Sequence, residues 1–263
     1  MARRQERFTK KTLAVVAVLA FVVGAGTSIA VQRIVGCLAS GGRIWAVENV
    51  QSASVNIVAV RSDGPGIVAS LDIRITRGDG RILIDTHPLV GFDFQEAAQT
   101  AVQVAATSAG YALDDDGIGI KGADVLFTVS AQGSGQIQIQ AIDGPSAGAV
   151  TTIATLAALE NKRVKTGVIM TGTVQANGSI GQVGGVFAKA QAAENVGAQL
   201  FLVPSGQSVV MVYKEVTQQV GHFQWVTYQP VQVDLEAYAE NNGWAMQIQE
   251  VSTIDAAASL MLE

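Results

Sequence analysis

One serine lies in a pattern that can make it a nucleophile. Ser146 is the central residue of Gly144-Pro145-Ser146-Ala147-Gly148, which satisfies the G-x-S-x-G pattern of a sharp turn between a strand and a helix. A free serine hydroxyl is a weak nucleophile at neutral pH, so acyl transfer at Ser146 also requires a base. The turn at Gly144, Pro145 and Ala147 is the predicted oxyanion site, because backbone N–H groups at a helix N-terminus stabilise a developing negative charge.

Histidine is the first candidate for this base, and the chain has two, His87 and His222. A hydrolase of the nucleophile-elbow type needs an acid and then a histidine after the serine, which leaves only His222. Three glutamates precede it and could serve as the acid: Glu160, Glu194 and Glu215. An esterase or lipase with this arrangement is one alternative, although the surroundings of both histidines favour structural or surface roles.

A lysine is the second candidate. In GGVFAKAQAAENVG, Lys189 shares a predicted helical face with Val186 and Ala193, so it interrupts an apolar stripe. Burial lowers the pKa of a lysine and leaves a neutral amine that can accept a proton. A lysine whose stem is buried while its amine reaches solvent would give the same pattern, and the spacing leaves both interpretations open.

Strands and helices alternate around these residues and predict an α+β fold. The runs SVNIVAVRS, GIVASLDIRITR and RILIDT predict an antiparallel meander, and Asp93 with Glu96 predicts a capping box that starts a helix. Further strands are predicted at DVLFTVSA, QIQIQAI, TGVIMTGTV and QLFLVP. Helices are predicted at 94–109, 147–160, 186–196, 234–242 and 253–262.

Two separated motifs resemble the proteolytic domain of Lon proteases. They are DGPSAGA and VIMTGTVQANGSIGQVGGVFAKAQAAENVGAQLFLVP, and the resemblance runs from about residue 66 to residue 205. In that family the serine of D-G-P-S-A-G and the lysine of G-G-x-x-x-K form a catalytic dyad at a spacing of 43 positions, which is the spacing of Ser146 and Lys189. By the same resemblance, Thr171 is the threonine that hydrogen-bonds the lysine. DTHPLVGFDFQEAAQTAVQVA and TGTVQANGSIGQVGG together resemble the stand-alone archaeal Lon-like proteases with an N-terminal membrane segment more than the ATP-fused enzymes.

The resemblance implies a Lon-like domain of small mixed β-sheets packed against helices, acting on polypeptides without a cofactor. It also implies a homo-oligomer, commonly a hexamer. Thr173 and Gln182 stand where the ATP-fused enzymes usually have glutamate and proline, which puts substrate preference in doubt more than the dyad. The sequence has no G-x-x-x-x-G-K-[ST] motif, so no P-loop ATPase module is predicted in it, and whether a separate unfoldase supplies substrates stays open. A catalytically idle scaffold domain of the cell envelope is a third hypothesis.

The N-terminal segment indicates contact with a membrane. Residues 1–11 carry five basic residues and one acidic residue, and residues 12–31 are uncharged and mostly apolar, long enough to span a bilayer. This pattern predicts a transmembrane or signal helix at the N-terminus, with the uncleaved anchor favoured, and an exported remainder. We divide the chain into an anchor or signal segment (1–35), a linker (36–50) and a protease domain (51–263).

The remaining composition excludes several classes of function. Without residues 1–31, the totals of 17 basic and 22 acidic residues fall to 12 and 21, a net charge of −9, so nucleic-acid binding is not expected. The single cysteine, Cys37, excludes an internal disulfide and a cysteine-based metal cluster, and no metal site is predicted. Its surroundings resemble a lipidation box, but Gln32 and Arg33 interrupt the apolar run before it.

Overall fold

The computed structural model describes residues 42–46, 49–131, 141–220 and 223–263. All the elements below lie in one compact unit, Arg43–Glu263. The predicted anchor at 12–31, most of the linker, Cys37 and His222 lie outside the described residues. Within the described residues, no helix is long and apolar enough to cross a membrane.

Thirteen strands and five α-helices form this part of the chain. The strands are β1 (Gln51–Val60), β2 (Gly66–Arg77), β3 (Ile82–Ile84), β4 (Leu89–Val90), β5 (Ala123–Ala131), β6 (Ala141–Ile142), β7 (Val168–Met170), β8 (Thr173–Val174), β9 (Ile180–Gly181), β10 (Leu200–Pro204), β11 (Val209–Val220), β12 (Phe223–Asp234) and β13 (Gln247–Val251). The helices are α1 (Phe92–Ser108), α2 (Gly148–Glu160), α3 (Val186–Asn195), α4 (Leu235–Asn241) and α5 (Ile254–Met261), and Pro145–Ala147 forms a 3-10 turn. The predicted α+β class with small mixed sheets is confirmed.

The largest sheet has the strand order β1-β2-β5-β3. β1 and β2 pair antiparallel as predicted, but β3 runs parallel to β5 and lies on its far side, so the predicted three-strand meander is wrong. The reason is that β5 supplies two hydrogen-bonding edges, and β2 occupies one of them with nine paired positions from Ala69↔Ala131 to Arg77↔Ala123. β3 therefore pairs with the other edge of β5.

Helix α2 lies in the middle of the main core. Every residue from Gly148 to Leu159 is buried, so this part of the helix has no solvent-exposed face. The hydroxyls of Thr151, Thr152 and Thr155 remain satisfied because each donates to the carbonyl four residues earlier, at 2.8 Å. A helix buried all round is a rigid support for the residues at its N-terminus.

A parallel three-stranded sheet, β13-β10-β7, carries the second part of the core. α3 and α4 contribute to a cluster of buried residues with β10, which includes Phe201, Ala193 and Leu235. Among the described strands, β11 and β12 pair only with each other and form a two-stranded ribbon. The short pairs β4-β6 and β8-β9 lie before and after the Ser146 turn in sequence.

Helix α1 begins differently from the prediction. Gly91 is its N-cap and makes no side-chain cap, and Asp93 lies inside the first turn, so the capping box of Asp93 and Glu96 is wrong. The Oδ1 atom of Asp143 accepts a hydrogen bond from the backbone N–H of Phe94 at 3.3 Å. A carboxylate from a different segment thus satisfies a donor at this helix end.

Candidate active site

Ser146 lies in a turn between strand and helix, as predicted. β6 ends at Ile142, Gly144 has φ of 102°, and Pro145 starts the 3-10 turn that leads into α2. This φ lies in the region that favours glycine, so Gly144 allows the reversal that puts Ser146, half-buried, at the N-terminus of a buried helix. The fixed φ of Pro145 suits the first position of the turn.

Backbone hydrogen bonds fix the serine turn to the chain beyond β7. The carbonyl of Ser146 accepts from the N–H of Gly172 at 2.9 Å, and the N–H of Ala149 donates to the carbonyl of Gly172 at 3.0 Å. The Oγ1 atom of Thr171 also donates to the Ser146 carbonyl, at 3.2 Å. Three bonds between two neighbouring segments hold the serine in register with Thr171.

Lys189 projects from α3 into the interior. Its side chain is 3% exposed, and its Nζ atom donates to the Oγ1 atom of Thr171 at 3.2 Å. Thr171 is fully buried and is held by its own N–H, which donates to the Leu202 carbonyl at 3.1 Å. Thr171 therefore connects the lysine to the serine turn, and the structure brings together the three residues that the sequence predicted.

The environment of Lys189 favours a neutral amine. Burial lowers its pKa from 10.5 to about 8, and within the described residues no carboxylate forms an ion pair with it. About a tenth of such amines are neutral at pH 7, compared with a few in ten thousand for an unperturbed lysine. No hydrogen bond joins Lys189 Nζ to Ser146 Oγ within the described residues, and such contacts are often long before substrate binds.

Comparison with known proteins connects this geometry to a chemistry. Residues 121–230 match the family model of the Lon protease (S16) C-terminal proteolytic domain, and Ser146, Thr171 and Lys189 all lie within the match. The matched domain indicates a serine peptidase. The chain is also 31% identical over 167 residues to the Lon protease of Phenylobacterium zucineum (strain HLK1). That alignment covers 57% of this chain but 19% of the relative, so the chain spans about a fifth of the relative's length.

The serine turn leaves limited choice for oxyanion donors. Pro145 has no N–H, and the N–H of Gly144 already donates to Asp143 Oδ1 at 2.8 Å. Gly144 and Pro145 therefore shape the turn and are not oxyanion donors. The remaining candidate donors in the turn are the N–H groups of Ser146 and Ala147. We found no group of three potential metal ligands among the described residues.

Asp143 is a residue that the sequence reasoning missed. Its carboxylate bonds the N–H groups of Gly144 and Phe94 and thereby joins the serine turn to α1. Gly91 makes room for it, because a Cβ atom there would overlap the carboxyl group of Asp143. The only available signal was the position of Asp143 directly before Gly-Pro-Ser.

Gln207 is a second residue that the sequence did not indicate. Its amide accepts from the N–H of Val183 at 2.9 Å and donates to the carbonyl of Val183 at 2.8 Å. Val183 lies just before Gly185, the N-cap of α3. Gln207 thus fixes the loop that leads into the helix of Lys189.

The His-dependent alternative relies on His222, which lies outside the described residues, with Glu160, Glu194 or Glu215 as the acid. His87 is exposed, and only its backbone N–H is hydrogen-bonded, to Asp85 at 3.1 Å. Glu160 pairs with Lys162 at 2.7 Å, and Glu215 is exposed on β11 opposite Tyr228. Glu194 lies near the end of α3.

Proposed function

We propose that this chain is a membrane-anchored, ATP-independent serine endopeptidase that cleaves unfolded or short polypeptides with Ser146 and Lys189. The observation that supports it best is the buried amine of Lys189, held 3.2 Å from Thr171 Oγ1 while Thr171 binds the carbonyl of Ser146. Burial gives this amine a pKa of about 8, which suits a general base near neutral pH.

The proposed reaction is acyl transfer in two steps. Neutral Lys189 takes the proton of Ser146 Oγ as this oxygen attacks a peptide carbonyl carbon, and the N–H groups of Ser146 and Ala147 bind the oxyanion. The amine of Lys189 returns the proton to the leaving nitrogen as the peptide bond breaks, which leaves an ester on Ser146. Water then gives a proton to neutral Lys189 as its oxygen attacks the ester carbon. The bond from this carbon to Ser146 Oγ breaks, Lys189 returns the proton to Oγ, and the acyl part leaves as a carboxylic acid.

The dyad is tested with purified full-length protein and an unstructured fluorogenic peptide. We expect Lys189→Ala to lower turnover at least about a hundredfold, the low end for removal of a general base. Ser146→Ala should abolish turnover, and His222→Ala should leave it unchanged. Undiminished turnover in Lys189→Ala, or its loss in His222→Ala, would overturn the dyad and favour the esterase alternative.

A fluorophosphonate probe separates an active enzyme from an idle scaffold domain. We expect the probe to label wild-type protein over hours and to leave Ser146→Ala unlabelled, since only an activated serine reacts. Equal labelling of both proteins, or turnover that persists in Ser146→Ala, would place the reactive group elsewhere.

Independence from ATP is proposed because the sequence contains no Walker motif. The isolated protein should then cleave a permanently unfolded substrate and leave the same substrate intact when a ligand keeps it folded. Stimulation of cleavage by added ATP would contradict this. A homo-oligomer, hexameric by resemblance, and a separate unfoldase belong to the same proposal.

We further propose that residues 12–31 anchor the protein and that the catalytic domain faces outside the cytoplasmic membrane. The support is the charge bias, since five basic residues precede the apolar run, while Arg33 and Arg43 are the basic residues in the eighteen positions after it. External protease should digest a C-terminal tag on intact cells. A tag that is protected until the membrane is permeabilised would show the opposite orientation.

A further inference from the structure

The β11–β12 ribbon is the one long sheet element outside the layered core of the described structure. Its antiparallel register runs without interruption from Val209↔Asp234 to Val220↔Phe223. Twelve residues at about 3.3 Å each make an arm about 40 Å long. Near its base, Val210 and Val233 pack against the cluster formed by α3, α4 and β10.

Beyond its base, the arm exposes large apolar side chains on both faces. Tyr213 (72% exposed) and Tyr228 (65%) lie on one face, because they belong to register positions an even number of residues apart. Phe223 (76%) and Trp225 (45%) lie on the other face. Met211, Val226 and Val231 are also exposed. A ribbon with one face in water normally alternates apolar and polar positions, and this one does not.

These properties indicate that the arm is covered by something outside the described part of the chain. A lone two-stranded ribbon is at best marginally stable in water, and its outer edges present unpaired N–H and C=O groups. A contiguous exposed apolar patch marks an interaction surface. The arm therefore needs a partner that contacts both faces.

Charge favours a second copy of this chain as the partner. From Val216 to Val233 the sequence contains no Asp, Glu, Lys or Arg, and the exposed Lys214 and Glu215 before it carry opposite charges, whereas residues 32–263 together carry a net charge of −9. Two copies with this negative charge repel each other over much of their surface. Contact through the uncharged part of the arm avoids this electrostatic repulsion. A lipid surface is less suitable, because two open strand edges would leave backbone groups unpaired in hydrocarbon.

Size favours a copy that encloses the arm. A face about 40 Å long and about 10 Å wide covers about 400 Å², half of the roughly 800 Å² that each partner contributes to a standard interface. Face-to-face stacking of two arms falls short of this area, and contact on both faces reaches it. We propose that the β11–β12 ribbon is an assembly arm that inserts against the body of a second copy of this chain and is covered there on both faces.

The test uses full-length protein in mild detergent and sedimentation velocity across a concentration series. Two double variants each remove one face: Tyr213→Ser with Tyr228→Ser, and Phe223→Ser with Trp225→Ser. Leu83→Ser is the control, because Leu83 is also an exposed apolar residue but lies on β3. We expect wild type and Leu83→Ser to form the same oligomer, and each double variant to raise the dissociation constant at least about tenfold.

Three results would overturn the proposal. The first is a monomeric wild type, and the second is unchanged assembly of either double variant. The third is loss of liposome binding by the double variants while their assembly is unchanged, because this would identify a membrane as the partner. A photo-reactive phenylalanine at position 228 gives an independent measurement in an otherwise native arm. We expect its crosslink to join two copies, and crosslinks only within one copy or to lipid would contradict the arm.

Discussion

Replacement of Lys189 by methionine should make the protein more stable while it abolishes catalysis. Lys189 is 3% exposed, and its charged form is disfavoured because burial lowers its pKa from 10.5 to about 8. At about pH 7, a shift of this size corresponds to about 3 kcal/mol of lost stability, at 1.36 kcal/mol per pKa unit. Methionine is unbranched and of similar length, so it fills the same space without an amine.

The expected gain is smaller than that loss because one hydrogen bond disappears. Thr171 Oγ1 no longer accepts from Lys189 Nζ, although it still donates to the Ser146 carbonyl. A lost hydrogen bond of this kind costs about 1 kcal/mol. We therefore expect Lys189→Met to be about 2 kcal/mol more stable at about pH 7, which raises the melting temperature of a chain of this size by about 4–8 °C.

The pH dependence identifies the cause. The folded state loses the lysine proton near pH 8, and the unfolded state loses it near 10.5, so the unfolded state binds more protons between these values. Wild-type stability should therefore rise with pH in this window, by about 2 kcal/mol between about pH 7 and 9.5, relative to Lys189→Met. The advantage of the variant should disappear over the same range.

Urea unfolding followed by circular dichroism at both pH values measures these differences. Lys121→Met is the control, because Lys121 is largely exposed and pairs with exposed Asp115, so we expect a change within about 0.5 kcal/mol. A variant no more stable than wild type at neutral pH would refute the reasoning. So would a gain that is the same at both pH values, since methionine packing alone would then explain it.

Three further substitutions test the supports of the site. Thr171→Val removes the acceptor for Lys189 Nζ and should lower kcat about tenfold or more with KM unchanged, while Thr171→Ser should recover most of the loss; a parallel rise in KM would point to substrate binding instead. Gly144→Ala meets no neighbouring atom but must adopt φ of 102°, so we expect a loss of about 1–3 kcal/mol in urea unfolding and a fall in turnover, and an unaffected protein would show that the turn tolerates L-residues. Gln207→Leu leaves both backbone groups of Val183 unpaired and should lower stability by about 1–3 kcal/mol, with Gln207→Glu intermediate because it keeps one acceptor; equal stabilities would refute this.

The turn at Ser146 and the helix that follows it could be predicted from the sequence because both have a local signature. Glycine before Pro-Ser and a helix after it are visible in sequence, and the turn at Gly144 has the positive φ that this pattern requires. The burial of Lys189 followed from its apolar neighbours on α3 together with the resemblance, since the spacing alone also allowed an exposed amine. Helix boundaries were predicted to within about two residues, as for α3 at Val186–Asn195.

The errors concern contacts between distant segments. Asp93 and Glu96 had the spacing of a capping box, but Asp143, 49 positions from Phe94, makes the contact with that helix end. β3 follows β2 in sequence yet pairs with β5, because strand pairing depends on which edge is free. No periodicity within either segment indicates these partners, and a single sequence provides no signal across such distances.

The contact with Thr171 explains why the amine of Lys189 can be buried in this fold. An amine in the interior requires a nearby polar partner. Without one, both the unsatisfied donor and the desolvated charge lower the stability of the folded protein. Thr171 supplies this partner without a countercharge, so the pKa of Lys189 falls, whereas a carboxylate at the same distance would favour the charged amine. Thr171 is itself held by the Leu202 carbonyl and by the Ser146 carbonyl, which belong to separate segments. A threonine fixed through both its backbone N–H and its hydroxyl can thus orient the lysine toward the serine turn and leave its amine without a countercharge.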